Sequence, residues 1–163
     1  MAENIVAIAA EIGRLLEENG LTISCAESCT GGLLTSTLTD VPGSSAYLTG
    51  SVVSYTNEVK GRILGVPEES LASCGAVSEP VARAMAEGVR ALMRTDIGVG
   101  ITGIAGPGGG TVGKPVGLVY IAVSSPSGTV VSENRFLGTR LENKRASVEK
   151  ALWMTVDMIR SIS

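Results

Sequence analysis

Two hydrophobic periods alternate along this chain, and that alternation constrains its fold more than any other feature. Ile5, Ile8, Ala9, Ile12, Leu15 and Leu16 recur at helical spacing, so residues 3–18 predict an amphipathic helix. Asn19-Gly20 stops it, since glycine readily takes the left-handed conformation that ends a helix. Residues 21–26 are short, apolar and β-branched and predict a strand. A second strand is expected over 50–55, a Gly-laced third over 96–102, a strongly apolar fourth over 116–123, and a return strand over 129–136 after the turn Ser125-Pro126-Ser127-Gly128. Helical stretches fall between them: 33–38, a short piece through Leu64 capped by Asn57, another from Val66-Pro67, a long one from the N-cap Ser78 to about Arg94, and a C-terminal one marked by Val148, Leu152, Val156 and Ile159. Strands alternating with amphipathic helices imply an α/β fold, a three-layer α/β/α sandwich whose hairpin makes the sheet mixed. The length of 163 residues suits one domain, 1–163, with no linker and no repeat.

The chain contains no histidine. Ser-His-Asp and Cys-His catalysis are excluded outright, as is every His-ligated metal site. Acid–base chemistry must run on Lys, Tyr, Asp, Glu or Cys. The charge balance, 13 Lys+Arg against 16 Asp+Glu, gives −3 and no basic face for a nucleic-acid backbone. One Trp, three Tyr and one Phe leave few rings for base stacking and require an aliphatic core. Cys25, Cys29 and Cys74 are odd in number and lack C-x-x-C spacing, so no disulfide framework or zinc site is expected, and a reducing cytoplasm is the default compartment. No apolar run reaches the ~18 residues of a membrane span, and no basic leader precedes the first helix.

Chemistry concentrates where strands give way to loops. Ser28 follows the first strand and precedes a helix, the end of an α/β sheet at which ligands bind. A hydroxyl there can attack a carbonyl, hold a phosphate or merely cap the helix. Cys29 is a rival nucleophile if the helix terminus lowers its pKa. In Ser54-Tyr55-Thr56-Asn57-Glu58-Val59-Lys60, a buried Lys60 would lose its proton easily enough to act as base, with Tyr55 relaying it; an exposed Lys60 would only pair on a helix surface. The glycine-rich stretch 103–115 sits in a region, 97–132, with no carboxylate and one cation, Lys114. Consecutive N–H groups of such a loop can cradle an anion. Arg140, ahead of the last helix, can fork onto a phosphate or carboxylate.

Two motif matches fail on context. Gly98-x-Gly100-x-x-Gly103 runs into Gly106-Pro107-Gly108 rather than a helix, and no acid follows at the dinucleotide spacing. Gly108-x-x-x-x-Gly113-Lys114 ends in Pro115 where a P-loop needs Ser or Thr.

Five segments occur in order: Ala26-Glu27-Ser28-Cys29-Thr30-Gly31-Gly32, the stretch from Ser54 to Lys60, Gly75-Ala76-Val77-Ser78-Glu79-Pro80, Thr102-Gly103-Ile104-Ala105-Gly106-Pro107-Gly108, and Lys114-Pro115-Val116-Gly117. Together they resemble the CinA C-terminal domain family, the nicotinamide-nucleotide amidohydrolases of PncC type, over residues 3–161 and in the stand-alone form. The resemblance implies hydrolysis of nicotinamide mononucleotide to nicotinic acid mononucleotide and ammonia, without metal or organic cofactor. It implies Ser28 as nucleophile, Lys60 as base and Tyr55 in support. It also implies Thr102 and Arg140 as functional positions, and the substrate site is expected at Thr30, Gly31, Gly32, Asn57, Thr102, Gly103, Gly106 and Arg140. The carbonyl would lie over a helix starting near Thr30, the oxyanion on N–H groups of residues 29–32, and the 5′-phosphate on Thr102, the loop 103–110 and Arg140. Thr139 and Lys144 depart from the family's usual Asp and Arg. The partner is then a small pyridine nucleotide, with no nucleic acid or membrane, in a homo-oligomer. A non-catalytic pyridine-nucleotide binding module is the alternative, and a purely structural oligomerisation domain a third reading.

Overall fold

The computed structural model describes residues 2–163. Helix α1 (Ala2–Asn19) ends at Gly20, whose φ is +64°, and strand β1 (Ile23–Glu27) follows, buried at every position. Helix α2 (Leu33–Thr39) starts three residues after Thr30, because Gly31 and Gly32 (φ +61° and +103°) hold the intervening turn in a left-handed path. A short 3-10 turn (Ser44–Ala46) leads into β2 (Leu48–Val53). Helix α3 (Asn57–Leu64) is capped by Thr56, whose hydroxyl accepts from Val59 N–H, so the cap lies one residue before the expected Asn57. Helices α4 (Glu68–Cys74) and α5 (Glu79–Met93) precede β3 (Ile97–Gly103). The hairpin β4 (Leu118–Ser125) and β5 (Gly128–Arg135) then leads to α6 (Arg140–Ile162).

The five strands form one sheet in the order β2-β1-β3-β4-β5. β1 is parallel to β2 and β3, while β4 is antiparallel to both β3 and β5, which gives the expected mixed sheet. On one face Ile23, Cys25, Val99 and Ile101 pack with α1, α2 and α6. On the other Ala26 packs with Leu64, Val66, Val81, Met85 and Val89 from α3 to α5. The architecture is thus a three-layer α/β sandwich.

Gly98 and Gly100 earn their place by proximity. A Cβ on Gly98 would stand 2.3 Å from Ala86 O, and one on Gly100 2.7 Å from Ala82 O. Helix α5 lies almost on the backbone of β3, so these glycines of the G-x-G-x-x-G match are packing residues. No helix among the described residues is long and apolar enough to cross a membrane.

Candidate active site at the carboxyl ends of β1 and β3

Side chains alternate across a strand, and at the end of β1 this separates two functional groups. Glu27 turns toward α2, and Ser28 turns the other way, toward α3. Ser28 N–H still donates to Ile101 O at 3.1 Å, so the sheet ladder itself holds the serine. Across from it, the first two turns of α3 bring Lys60 inward. Lys60 is only 2% exposed. Its Nζ lies 3.1 Å from Ser28 Oγ and donates to Ser54 O at 2.6 Å. No carboxylate comes within ion-pair distance of Lys60 among the described residues. Burial holds its amine below the ordinary lysine value, because the charged form loses its water without gaining a counter-ion. The alternative of a solvent-exposed helix-surface lysine is therefore not the one the fold realises.

A cleft of about 270 Å³ opens above this pair. Asn57, Tyr55, Thr102, Gly103, Gly106 and Arg140 line it with Ser28 and Lys60, and no carboxylate is among its walls. Arg140 spans the mouth: Nη1 donates to Gly106 O at 2.6 Å and Nη2 to the Tyr55 hydroxyl at 3.0 Å. Tyr55 is 61% exposed, and its hydroxyl meets Arg140 rather than Ser28 or Lys60. Its expected place in a proton relay gives way to a contact at the rim. Thr102 lines the cleft, but its hydroxyl donates to Ala76 O at 2.8 Å and so ties β3 to the segment before α5. Lys114 Nζ donates to Cys74 O and fastens the glycine-rich loop to the end of α4, outside the cleft.

Thr30, Gly31 and Gly32 do not line the cleft. Thr30 Oγ1 donates to Glu27 at 2.6 Å, and the two glycines shape the turn behind Ser28. The rival nucleophile Cys29 does line the cleft, but burial pushes its thiol up to about 11, with Glu27 nearby adding to the rise and its own backbone N–H opposing it. A thiol held protonated is a poor nucleophile. Cys25, Cys29 and Cys74 are all free.

Sequence reasoning passed over three groups. Glu27 is completely buried and accepts four hydrogen bonds. Asn143, also buried, donates to Ala105 O at 3.0 Å and accepts from Gly138 N–H at 2.9 Å, which joins the glycine-rich loop to the start of α6. The Ser54 carbonyl orients the Lys60 amine, and no sequence signal marks a carbonyl. At Thr139, which departs from the family's usual Asp, the side chain and that of Glu142 form a reciprocal cap that fixes Arg140 as the first residue of α6.

The CinA C-terminal domain profile matches residues 5–159. The chain belongs to that family. A CinA-like protein of Acidobacterium capsulatum is 50% identical over 145 residues, covering 89% of this chain and 34% of the relative. The chain spans about a third of the length of the curated relatives it matches. Among solved structures, the competence/damage inducible protein CihA of Agrobacterium tumefaciens superposes with a TM-score of 0.92 at 42% identity, covering 94% of each chain. A CinA superfamily protein of Klebsiella pneumoniae gives 0.93 at 30% identity, covering 96% of this chain and 98% of its own. The fold of this chain is thus that of CinA-superfamily structures.

Proposed function

We propose that the protein is a serine amidohydrolase that converts nicotinamide mononucleotide to nicotinic acid mononucleotide and ammonia. The observation that carries this reading is a buried lysine with no counter-ion among the described residues, 3.1 Å from a serine hydroxyl at the floor of a cleft. A neutral amine donates through one N–H to Ser54 O and offers its lone pair to the Ser28 proton. Ser28 Oγ then adds to the carboxamide carbon, and Lys60 carries the proton to the departing nitrogen. The C–N bond breaks, ammonia leaves, and an acyl ester remains on Ser28. Water hydrolyses that ester to release the acid and regenerate the hydroxyl.

The oxyanion falls to backbone N–H groups of the turn after Ser28, where loss of one donor typically costs about 10²–10³ in rate. The donor set is narrower than expected from sequence. The Leu34 and Thr35 N–H groups at the start of α2 go to Glu27, Gly31 N–H to Ser28 O and Leu33 N–H to Thr30 O. Cys29 N–H donates to no protein oxygen among the described residues, and Cys29 faces the cleft. Arg140 carries no ion pair among the described residues, and walls without carboxylates favour an anionic substrate. The resemblance supplies the identity of that anion, a 5′-phosphate.

A non-catalytic nucleotide binder would use Arg140 and the loop equally well, but it has no use for a buried lysine of lowered pKa against a serine. Ammonia release from nicotinamide mononucleotide, its riboside and the dinucleotide tests the chemistry and the phosphate dependence together. Ser28→Ala should abolish release while its melting temperature stays near that of the wild type; full turnover in Ser28→Ala would overturn the reading.

A further inference from the structure

The Glu27 carboxylate takes no part in the steps above, yet it is the immediate chain neighbour of Ser28 and has no exposed surface. Burying an anion is costly, and here no cation lies within ion-pair distance among the described residues. Four neutral donors satisfy it instead. Oε1 accepts from Thr30 Oγ1 at 2.6 Å and Leu34 N–H at 2.9 Å. Oε2 accepts from Thr35 N–H at 2.9 Å and Thr35 Oγ1 at 2.7 Å. All four lie beyond Ser28 in the chain, so the carboxylate closes a loop around residues 28–33. Inside that loop are two consecutive left-handed glycines, Gly31 and Gly32, the least restrained backbone available.

We infer that Glu27 is the positioning residue of the Ser28 turn: by clamping Thr30 and the first turn of α2, it fixes the direction of Ser28 Oγ and of the Cys29 N–H. The catalytic half of this assignment rests on the amidohydrolase reading. Ser28 is anchored on one side by the ladder to Ile101 and on the other by Lys60. The turn that follows has only the Gly31-to-Ser28 and Leu33-to-Thr30 bonds of its own. Without the carboxylate, two glycines would set the course of the chain, and a shift of an ångström at a reacting group can cost about 10²-fold in rate.

The test uses the full chain with Glu27→Gln, which keeps the shape but turns an NH2 group toward a donor, and Thr30→Val, which removes one donor and leaves the charge. With nicotinamide mononucleotide, kcat should fall about 100-fold in Glu27→Gln and about tenfold in Thr30→Val, with KM within about threefold of wild type. Backbone amide exchange at Gly31 and Leu33, whose N–H groups bond to Ser28 O and Thr30 O within the turn, should quicken at least about tenfold in both, while Val99 and Ile101 in β3 keep their protection, since local opening and global unfolding are separable in exchange. A wild-type kcat in folded Glu27→Gln would overturn the assignment. So would a loss of protection spread evenly across β3 with kcat reduced only by the unfolded fraction. If Glu27→Gln does not fold, Thr30→Val decides by the same two readouts. Exchange needs no turnover, so a wild type that releases no ammonia sinks the amidohydrolase reading while the clamp is still judged by exchange.

Discussion

Lys60 Nζ lies 3.1 Å from Ser28 Oγ, and the amine reaches that distance from a helix 32 residues further along the chain. Only the unprotonated amine can take the serine proton, and burial lowers the Lys60 pKa from its ordinary 10.5. Activity should therefore rise with pH along a limb governed by a single ionisation, with its midpoint below 10.5. A kcat/KM profile over neutral to alkaline pH checks this. A rate flat across that range, or falling with pH, contradicts it.

Lys60→Met should abolish ammonia release and raise stability. The folded state holds the Lys60 proton less tightly than the unfolded chain does, so between the two pKa values the unfolded state binds more protons. Stability of the wild type thus increases with pH through that window, and the lysine is a burden at neutral pH. A methionine of similar volume removes the burden but leaves Ser54 O without a partner. The gain should be larger at pH 7 than at more alkaline pH, shrinking as pH approaches 10.5. Urea unfolding at two pH values measures it.

Arg140→Gln should raise KM for nicotinamide mononucleotide by about 10- to 100-fold, as expected for loss of a hydrogen bond to a charged group, with a smaller effect on kcat. Because the Tyr55 hydroxyl bonds to Arg140 and not to the Ser28–Lys60 pair, Tyr55→Phe should also act mainly on KM. A kcat loss of two orders of magnitude in Tyr55→Phe with KM unchanged would restore the proton relay.

Gly98→Ala and Gly100→Ala should each destabilise the fold by about 2–3 kcal/mol, the scale of overpacking. The new methyl groups would meet the backbone of α5 at 2.3 and 2.7 Å, and backbone cannot rotate away. Thermal denaturation reads the loss, and α5 is the helix that must move.

Thiol labelling at neutral pH should modify Cys74, which is exposed, and spare Cys29, which burial holds protonated. Rapid labelling of Cys29 in the folded protein would revive it as a nucleophile.

The layers of the fold were legible because their signals are periodic. The helical spacing of Ile5 to Leu16 and the apolar run of β4 require no knowledge of neighbours. The site was legible to the extent that it rests on residue type: with no histidine, Ser28 needed a base, and Lys60 was available. What the sequence hid depends on direction. Thr30, Gly31 and Gly32 look like the rim of a pocket, but strand alternation turns Glu27 toward α2, where its carboxylate takes the Thr30 hydroxyl, and the glycines are left in the turn behind the serine. Tyr55 looks like a relay by its spacing from Lys60, yet the loop before α3 turns it outward to Arg140. Asn143 gave no local pattern, since its partner Ala105 meets it only through the folded chain, and the Ser54 carbonyl, though only six residues from Lys60, is a backbone group that no residue type marks.

The walls of the cleft come from the ends of β1 and β3, the start of α3 and the first residue of α6, so the last contribution arrives at Arg140. A ribosome releasing this polypeptide therefore exposes the serine long before the pocket exists. Until the sheet is assembled over it, Lys60 remains an ordinary hydrated ammonium that cannot accept a proton. On the proposed reading folding is thus the activating event: burial is what weakens the amine's hold on its proton, and a partly made or partly digested chain brings no such lysine to the serine.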